Sequence, residues 1–338
     1  MIQAPMAGGL NTPQLASAVC NAGGVGSFGF AYSTAEKIAQ DLLATKALTS
    51  GPVNANLFIF QPVQMPSADV VDKAVAALSG FFIQGGYELS IPSAPFFPNL
   101  ENQLEAIWSE PPAMLTFHFG IPPKGIIEAA HAKGISVGIT ATSVDEGLAI
   151  VRSGADFIVA QGIEAGGHRG TFNAHGDDSE LPIEPLVHQL VNQTNCPVVA
   201  AGGIMTGQDI NRALALGAVA AQMGTGFLCC DEAATPPTYR KMLLNDALKP
   251  TQFTRGFSGR WARGISNEFI ERMDGRPTLP FPIQNTLTAV IRQAAANSDD
   301  SGYQSLWAGR HYAKIRSMSV QALMEVLIQE MQADSRSS

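Results

Sequence analysis

Charge is scarce in this sequence: Asp, Glu, Lys and Arg together make up 15% of its 338 residues, and the formal net charge is −8. No basic run exceeds a pair, which argues against the Lys/Arg stripe that a nucleic-acid partner requires. Cysteine is nearly absent. Cys20, Cys196, Cys229 and Cys230 form no C-x-x-C pair and no His/Cys spacing of a zinc site. A disulfide framework or a bound metal is therefore not expected, and a reduced, cytoplasmic setting is. Long apolar runs are missing as well. The longest apolar region, Leu214 to Cys230, is broken by glycines, Gln222 and Thr225, which argues against a membrane span. No basic-then-apolar leader opens the chain, so a soluble protein is expected. Its first residues, Ile2 to Met6, already look like the end of a strand. Either that strand is very short or the natural chain starts a few residues earlier.

What is present in quantity is apolar side chain, 46% of the sequence, and glycine, 33 residues. Both suit a large buried core punctuated by turns. Short apolar runs near residues 2, 25, 55, 115, 138, 158, 199 and 221 read as buried strands. Helical patterns lie between them: Asn11 to Asn21, Thr34 to Leu48, Lys124 to Lys133, Val144 to Ser153, Leu181 to Gln193 and Gly207 to Leu216. Gly134, Gly154 and Gly217 stand where three of these helices must stop. Strands alternating with helices of about ten residues mean βα units and a parallel sheet. Eight such units predict an α/β TIM (β/α)8 barrel over residues 1–230, with every active-site loop on one face. A doubly wound open sheet is the alternative. Residues 61–112, with seven prolines and helical pieces at Ala68 to Leu78 and Asn99 to Trp108, predict an insertion or lid after the third strand. Residues 231–338 predict a mostly helical C-terminal segment near the barrel mouth, with helices at Pro237 to Leu248, Thr286 to Ala296 and Ser319 to Gln332.

One G-x-G-x-x-G string occurs, Gly24 to Gly29, but its glycines lie inside a presumed strand. The next strand, Val53 to Leu57, ends without the acidic residue a ribose needs, so a Rossmann site is not expected. Chemistry concentrates instead after the sixth strand, in DFIVAQGIEAGGHRGTF, residues 156–172. There Gly166 and Gly167 allow backbone to approach a flat or anionic ligand. His168, directly after them, is suited to moving a proton near neutral pH. His118 ends the fourth strand and faces the same mouth, although histidines at strand ends often serve structure alone. Two glycine-rich loops, Gly202-Gly203-Ile204 and Gln222-Met223-Gly224-Thr225, end the last two strands, where barrels commonly cradle a phosphate on backbone N–H groups.

Taken together, Ile2 to Gly8, Asn54 to Phe58, Ala160 to Gly170, Ala201 to Ile204 and Gln222 to Thr225 resemble the nitronate monooxygenase family, once called 2-nitropropane dioxygenases. Tyr303 to Gly309 resembles a further motif of its class I members. The resemblance runs over nearly the whole chain. It implies an FMN-dependent TIM-barrel oxidoreductase acting on small nitronates and O2. FMN's phosphate would lie against Gly202, Gly203, Gln222, Met223, Gly224 and Thr225. Its ring would lie near Pro5, Met6, Asn56, Gln161, Gly166 and Gly167. An alkyl nitronate would become a carbonyl compound and nitrite, with electrons passing singly to the flavin and on to oxygen. His168 matches the family's histidine, acting on the nitronate as imidazolium or on a neutral nitroalkane as imidazole base, with His118 second. Tyr303 and Trp307 would close the substrate pocket. A monomer or homodimer is implied.

The sequence departs from the class I pattern after the third strand. Those members carry a histidine-proline pair there, and this chain has Phe58-Ile59-Phe60-Gln61-Pro62. Two rival activities suit the same loops, an NAD(P)H:quinone reductase and an enoyl-thioester reductase. A non-catalytic FMN binder is the third reading.

Overall fold

Each barrel unit is built by the same local devices. Thr12 accepts from the backbone N–H of Leu15 at 2.9 Å and Pro13 begins the helix, so Pro13–Asn21 is capped where its free N–H groups begin. Thr206 and Asp209 cap Gly207–Ala215 reciprocally, and Gly154, at φ +84°, stops Val144–Ser153. The structure, a computed structural model, describes residues 1–176, 178–245 and 247–335. Its strands in chain order are β1 (Ile2–Gln3), β2 (Gly26–Gly29), β3 (Val53–Phe58), β4 (Met114–His118), β5 (Ser136–Ala141), β6 (Phe157–Gln161), β7 (Gly167–His168), β8 (Val198–Ala201), β9 (Ala220–Met223), β10 (Thr251–Thr254) and β11 (Ala262–Ile265).

Eight of these form one parallel sheet in the order β1-β9-β8-β6-β5-β4-β3-β2. A parallel bridge between Ile2 and Val25 brings its two edges together, and helices flank it. The fold is the expected TIM barrel. Each of the eight apolar runs lies in or beside an observed barrel strand. β-Branched and aliphatic side chains such as Val137, Ile139 and Ile158 fill one continuous core together with the inner faces of the helices. No helix among the described residues is long and apolar enough to cross a membrane.

Outside the sheet the structure differs from the sequence expectation in three places. Helix Leu100–Ser109, expected within the insertion, packs beside Ala35–Lys46 and occupies the outer ring between β3 and β4. The last helix, Val320–Ser335, likewise returns to the barrel: Leu327 and Met324 join its core, and Asn211 donates to the Met331 carbonyl at 2.9 Å. The chain thus leaves the barrel after β9 and comes back for the eighth helix. Third, the intervening segment, expected to be mostly helical, also carries strands. β10 and β11 form an antiparallel pair, and β11 also pairs with β7, setting Ala262 opposite His168 and Arg263 opposite Gly167. These strands are four residues long or shorter, too brief for their alternation to register as a pattern.

A second apolar core holds the excursion together. From helix Ala68–Gly85, Val71, Leu78, Phe81 and Phe82 pack against Phe257, Phe269, Ile270, Met273, Leu279 and Ile283. Phe257 and Phe269 stack at 4.2 Å, and Phe81 meets Phe269 at 4.8 Å. The insertion and the C-terminal excursion are therefore one cap over the barrel mouth. Each buries the face the other leaves apolar.

Candidate active site

The strand ends and the cap enclose a cavity of about 500 Å³, within the usual size range of small-molecule sites. Pro5, Met6, Asn56, His118, Gln161, Gly166, Gly167, His168, Gly202, Gly203, Gln222, Met223, Gly224, Thr225 and Trp307 all line it. Of the residues singled out in the sequence, Tyr303 alone does not. Its hydroxyl is held by Glu268 and, at 3.3 Å, by Arg272, and its ring packs edge-on to Phe81. It belongs to the cap's own core.

At one end of the cavity the turns after β8 and β9 leave the backbone N–H groups of Gly203, Gly224 and Thr225 without a partner among the described residues. Gly203 takes φ +69°, and a Cβ there would come within 2.9 Å of Glu164 Cβ and 3.0 Å of His311 Nδ1. Only glycine keeps that turn open. Thr225 Oγ1 accepts from the Gly309 N–H at 3.0 Å, which ties the cap to this turn and leaves the hydroxyl proton for a ligand.

Opposite lies His168. Its backbone carbonyl accepts from Gln161 Nε2 at 3.0 Å and from His118 Nε2 at 3.3 Å, and Gln161 Oε1 takes the Gly170 N–H at 2.8 Å. Gln161 and His118 thus pin the histidine loop from below. The imidazole stands among four rings, Phe281 at 5.5 Å, Trp307 at 5.8 Å, Phe119 at 5.9 Å and Phe58 at 6.2 Å. Burial in this apolar box, then His118 and the charges of Arg260 and Arg292, hold its pKa down to about 3. Burial, then Arg260, lowers His118 to about 3 as well. Both rings are neutral at pH 7.

His168 Nε2 lies 2.9 Å from Ser258 Oγ. The serine's single proton goes to the Arg260 carbonyl at 3.1 Å, and the Arg260 N–H approaches the same oxygen at 3.3 Å. With the serine proton on the Arg260 carbonyl, Ser258 Oγ accepts from His168, the arrangement that puts the imidazole proton on Nε2 and leaves Nδ1 unprotonated. Three arginines around the loop spend their donors on a carboxylate, backbone carbonyls and rings. Arg169 is paired with Asp178 at 2.7 Å, Arg260 sits 3.8 Å over the Phe119 ring and donates to the Thr171 carbonyl, and Arg263 donates to the Ile163 carbonyl at 3.1 Å.

The nitronate monooxygenase family model matches residues 1–330. The chain belongs to that family. Nitronate monooxygenase from Paraburkholderia phytofirmans is 38% identical over 98% of this chain and 92% of its own length. That from Pseudomonas aeruginosa is 38% identical over 98% and 95%. Among solved structures, nitroalkane oxidase from Streptomyces ansochromogenes matches with a TM-score of 0.93 and 35% identity, covering 100% of this chain and 97% of that one. The chain is thus an enzyme of a flavin-dependent oxidoreductase family. The cavity suits such a group, because unpaired N–H groups at glycine turns fit a phosphoryl tail and an apolar floor by Pro5 and Met6 fits a flat ring. Among the described residues no cluster of His, Cys, Asp or Glu could hold a metal ion.

Several residues that line this cavity or touch His168 carry no sequence signal. Ser258 meets His168 across 90 positions. Phe281 and Arg292 arrive from the cap, and Tyr32 from the turn after β2. Arg260 and Arg263 stand out in the sequence only as charges in an otherwise irregular stretch.

Proposed function

We propose that the chain holds FMN in this cavity and oxidises alkyl nitronates with molecular oxygen, yielding a carbonyl compound and nitrite. The observation that carries the proposal is the pairing, across one cavity, of unpaired backbone N–H groups at the β8 and β9 turns with a neutral histidine boxed by aromatic rings. Bound FMN would supply the redox chemistry. Gly203, Gly224 and Thr225 would donate to its phosphate, with Gly202, Gln222 and Met223 shaping that end. Pro5, Met6, Asn56, Gln161, Gly166 and Gly167 would flank the ring. Asn56 is fixed for this by donating to Thr116 Oγ1 at 2.9 Å.

His168 does its part as imidazole, not imidazolium. Its Nδ1 lone pair can take the α-proton of a neutral nitroalkane, and Ser258 keeps the ring in the tautomer that exposes that lone pair. The cationic role expected from the sequence is disfavoured, because four rings and two guanidinium groups oppose a charge there. Phe58, Phe119, Phe281 and Trp307 also exclude water from the reacting atoms. His118 acts through the backbone of His168 and is a positioning residue.

The test is spectroscopic. FMN-loaded protein mixed with an alkyl nitronate under nitrogen should lose its oxidised-flavin absorbance, and nitrite should accumulate once air is admitted. A protein that refuses FMN would overturn the proposal. So would bleaching by NADH or NADPH but not by nitronate, since that is the behaviour of a reductase.

A further inference from the structure

One cation of the cavity wall lacks a counter-charge. Arg292, on helix Ala289–Asn297 of the cap, lines the cavity with Tyr32, Asn285 and His168. Its Nη2 donates to the Asn285 carbonyl at 2.5 Å and to Asn285 Oδ1 at 3.1 Å. Nε is buried with no partner. Nη1 makes no hydrogen bond, and no carboxylate forms an ion pair with this guanidinium among the described residues. Of these four arginines, Arg292 alone has a buried guanidinium nitrogen with no hydrogen-bond partner among the described residues, whereas Arg169, Arg260 and Arg263 direct theirs onto a carboxylate, carbonyls and a ring.

A buried charge without a partner costs several kcal/mol as a rule, and a buried donor left unpaired adds to that cost. Nε is sealed off, and Nη1, unbonded and not sealed, is the donor a ligand in the cavity can complete. The ligand must be anionic and must enter the same space as His168. Burial and neighbouring cations lower the pKa of both histidines, so the fixed positive charge in the cavity wall is that of Arg292. Arg292 is the guanidinium that remains unspent.

We propose that Arg292 is the anion-recognising residue of the substrate pocket, its guanidinium taking the negatively charged oxygens of the nitronate. This rests on the nitronate reading above. It divides the labour: Arg292 binds charge and His168 handles the proton. Charge-assisted hydrogen bonds of this type discriminate strongly between an anion and its neutral parent. The pocket therefore favours a nitronate over the corresponding nitroalkane, and Arg292 sets that preference.

The probe is nitrate, a planar oxyanion with a nitronate's charge and no α-carbon to oxidise, titrated against the visible spectrum of FMN-loaded protein. Arg292→Gln should weaken nitrate binding 10- to 100-fold and raise the KM for nitronate similarly. FMN affinity should stay within threefold. Arg292→Lys should recover nitrate binding to within tenfold of the native protein. Nitrate affinity unchanged in Arg292→Gln would overturn the assignment. Native protein gives a second measurement that no folding defect can obscure. Nitrate binding that is level from pH 6 to 9 supports an arginine, and binding that weakens steadily as pH rises through that window points to a histidine and overturns it. If native protein binds nitrate through Arg292 yet oxidises no nitronate, the reaction reading fails and the anion site stands. If it oxidises nitronate while nitrate ignores the substitution, only the assignment of Arg292 fails.

Discussion

The barrel and the cap build opposite kinds of wall around the same cavity. The barrel offers glycine turns, amides and hydroxyls: Asn56, Thr116, Gln161, Gly203 and Thr225 carry no charge. The cap contributes Ser258, Phe281, Arg292 and Trp307, and its β11 strand clamps the backbone of His168. Their cores are separate too, one centred on Leu57, Ile139 and Ile158 and the other on Phe257 and Phe269. Under the proposed function, holding a cofactor and choosing a substrate fall to different parts of one chain. On that reading the barrel would supply the cradle, and a cap with its own apolar core would supply the charge beside the substrate.

Removing the proton acceptor should give the largest effect and sharpen this division. His168→Ala deletes the base but leaves the glycine turns intact. It should cost roughly 10²- to 10⁴-fold in kcat for neutral nitroalkane, the range typical of general-base catalysis. FMN affinity should stay within a few-fold, and nitronate should lose less than nitroalkane because its proton has already gone. Steady-state rates on the two substrates, with FMN binding followed by fluorescence quenching, check both parts. Equal losses on both substrates would mean that His168 does something other than take a proton.

The next effect tests whether the two cores are independent. Phe269 is fully buried in the cap, and Phe269→Ala should remove about 3–5 kcal/mol from cap packing. Limited proteolysis should then cut within the insertion or the excursion first, while FMN remains bound. Leu57 is fully buried in β3, and Leu57→Ala should cost about 2–5 kcal/mol and weaken FMN binding together with global stability. If both variants melt in one transition and lose FMN equally, the barrel and cap are one cooperative unit.

Acid should act on the boundary between them. His168 and His118 titrate near 6.5 in an unfolded chain and at about 3 in this fold. The unfolded state therefore binds more protons between those values. The stability that these neutral rings contribute is complete above pH 6.5 and is lost as pH falls toward 3, at about 1.4 kcal/mol per pH unit for each histidine. Urea midpoints at pH 7, 6 and 5 should decline accordingly. A variant with both histidines replaced by Asn should show a shallower decline over that window, above the range where carboxylates titrate. For the same reason, kcat/KM for nitronate should lack an acid limb near pH 6.5. Arg260→Met, which removes a cation beside both rings, should move any limb upward.

The barrel was legible because its signals are local. Runs such as Val53 to Leu57, and the glycine stops at 134, 154 and 217, each declare a strand or helix end within a few residues. Gly166-Gly167-His168 declared the candidate site in the same way. The cap was not legible, because what defines it is distant pairing. Phe81 finds Phe269, and β11 finds two residues of a loop that precedes it by about ninety positions. No periodicity marks either event. The sequence places the helix at Asn99 to Trp108 in the insertion for a related reason, since helical spacing says nothing about which neighbour a helix covers. Arg292 looks like any surface charge on a short helix until Tyr32 and Asn285 are seen around it.

The smallest effect is the most discriminating, because it lies where cap touches barrel. Ser258→Ala removes the acceptor that holds the proton on His168 Nε2 and leaves the ring box intact. A neutral hydrogen bond is worth about 0.5–1.5 kcal/mol, so turnover of neutral nitroalkane should fall roughly two- to tenfold. Turnover of nitronate, which needs no base, should scarcely change. Ser258→Thr keeps the hydroxyl and should restore most of the loss. A purely structural role would lower both substrates alike and would show in the urea midpoint. If nitroalkane turnover is untouched in Ser258→Ala, then the aromatic rings alone orient His168, and the cap's polar contribution to the reaction reduces to Arg292.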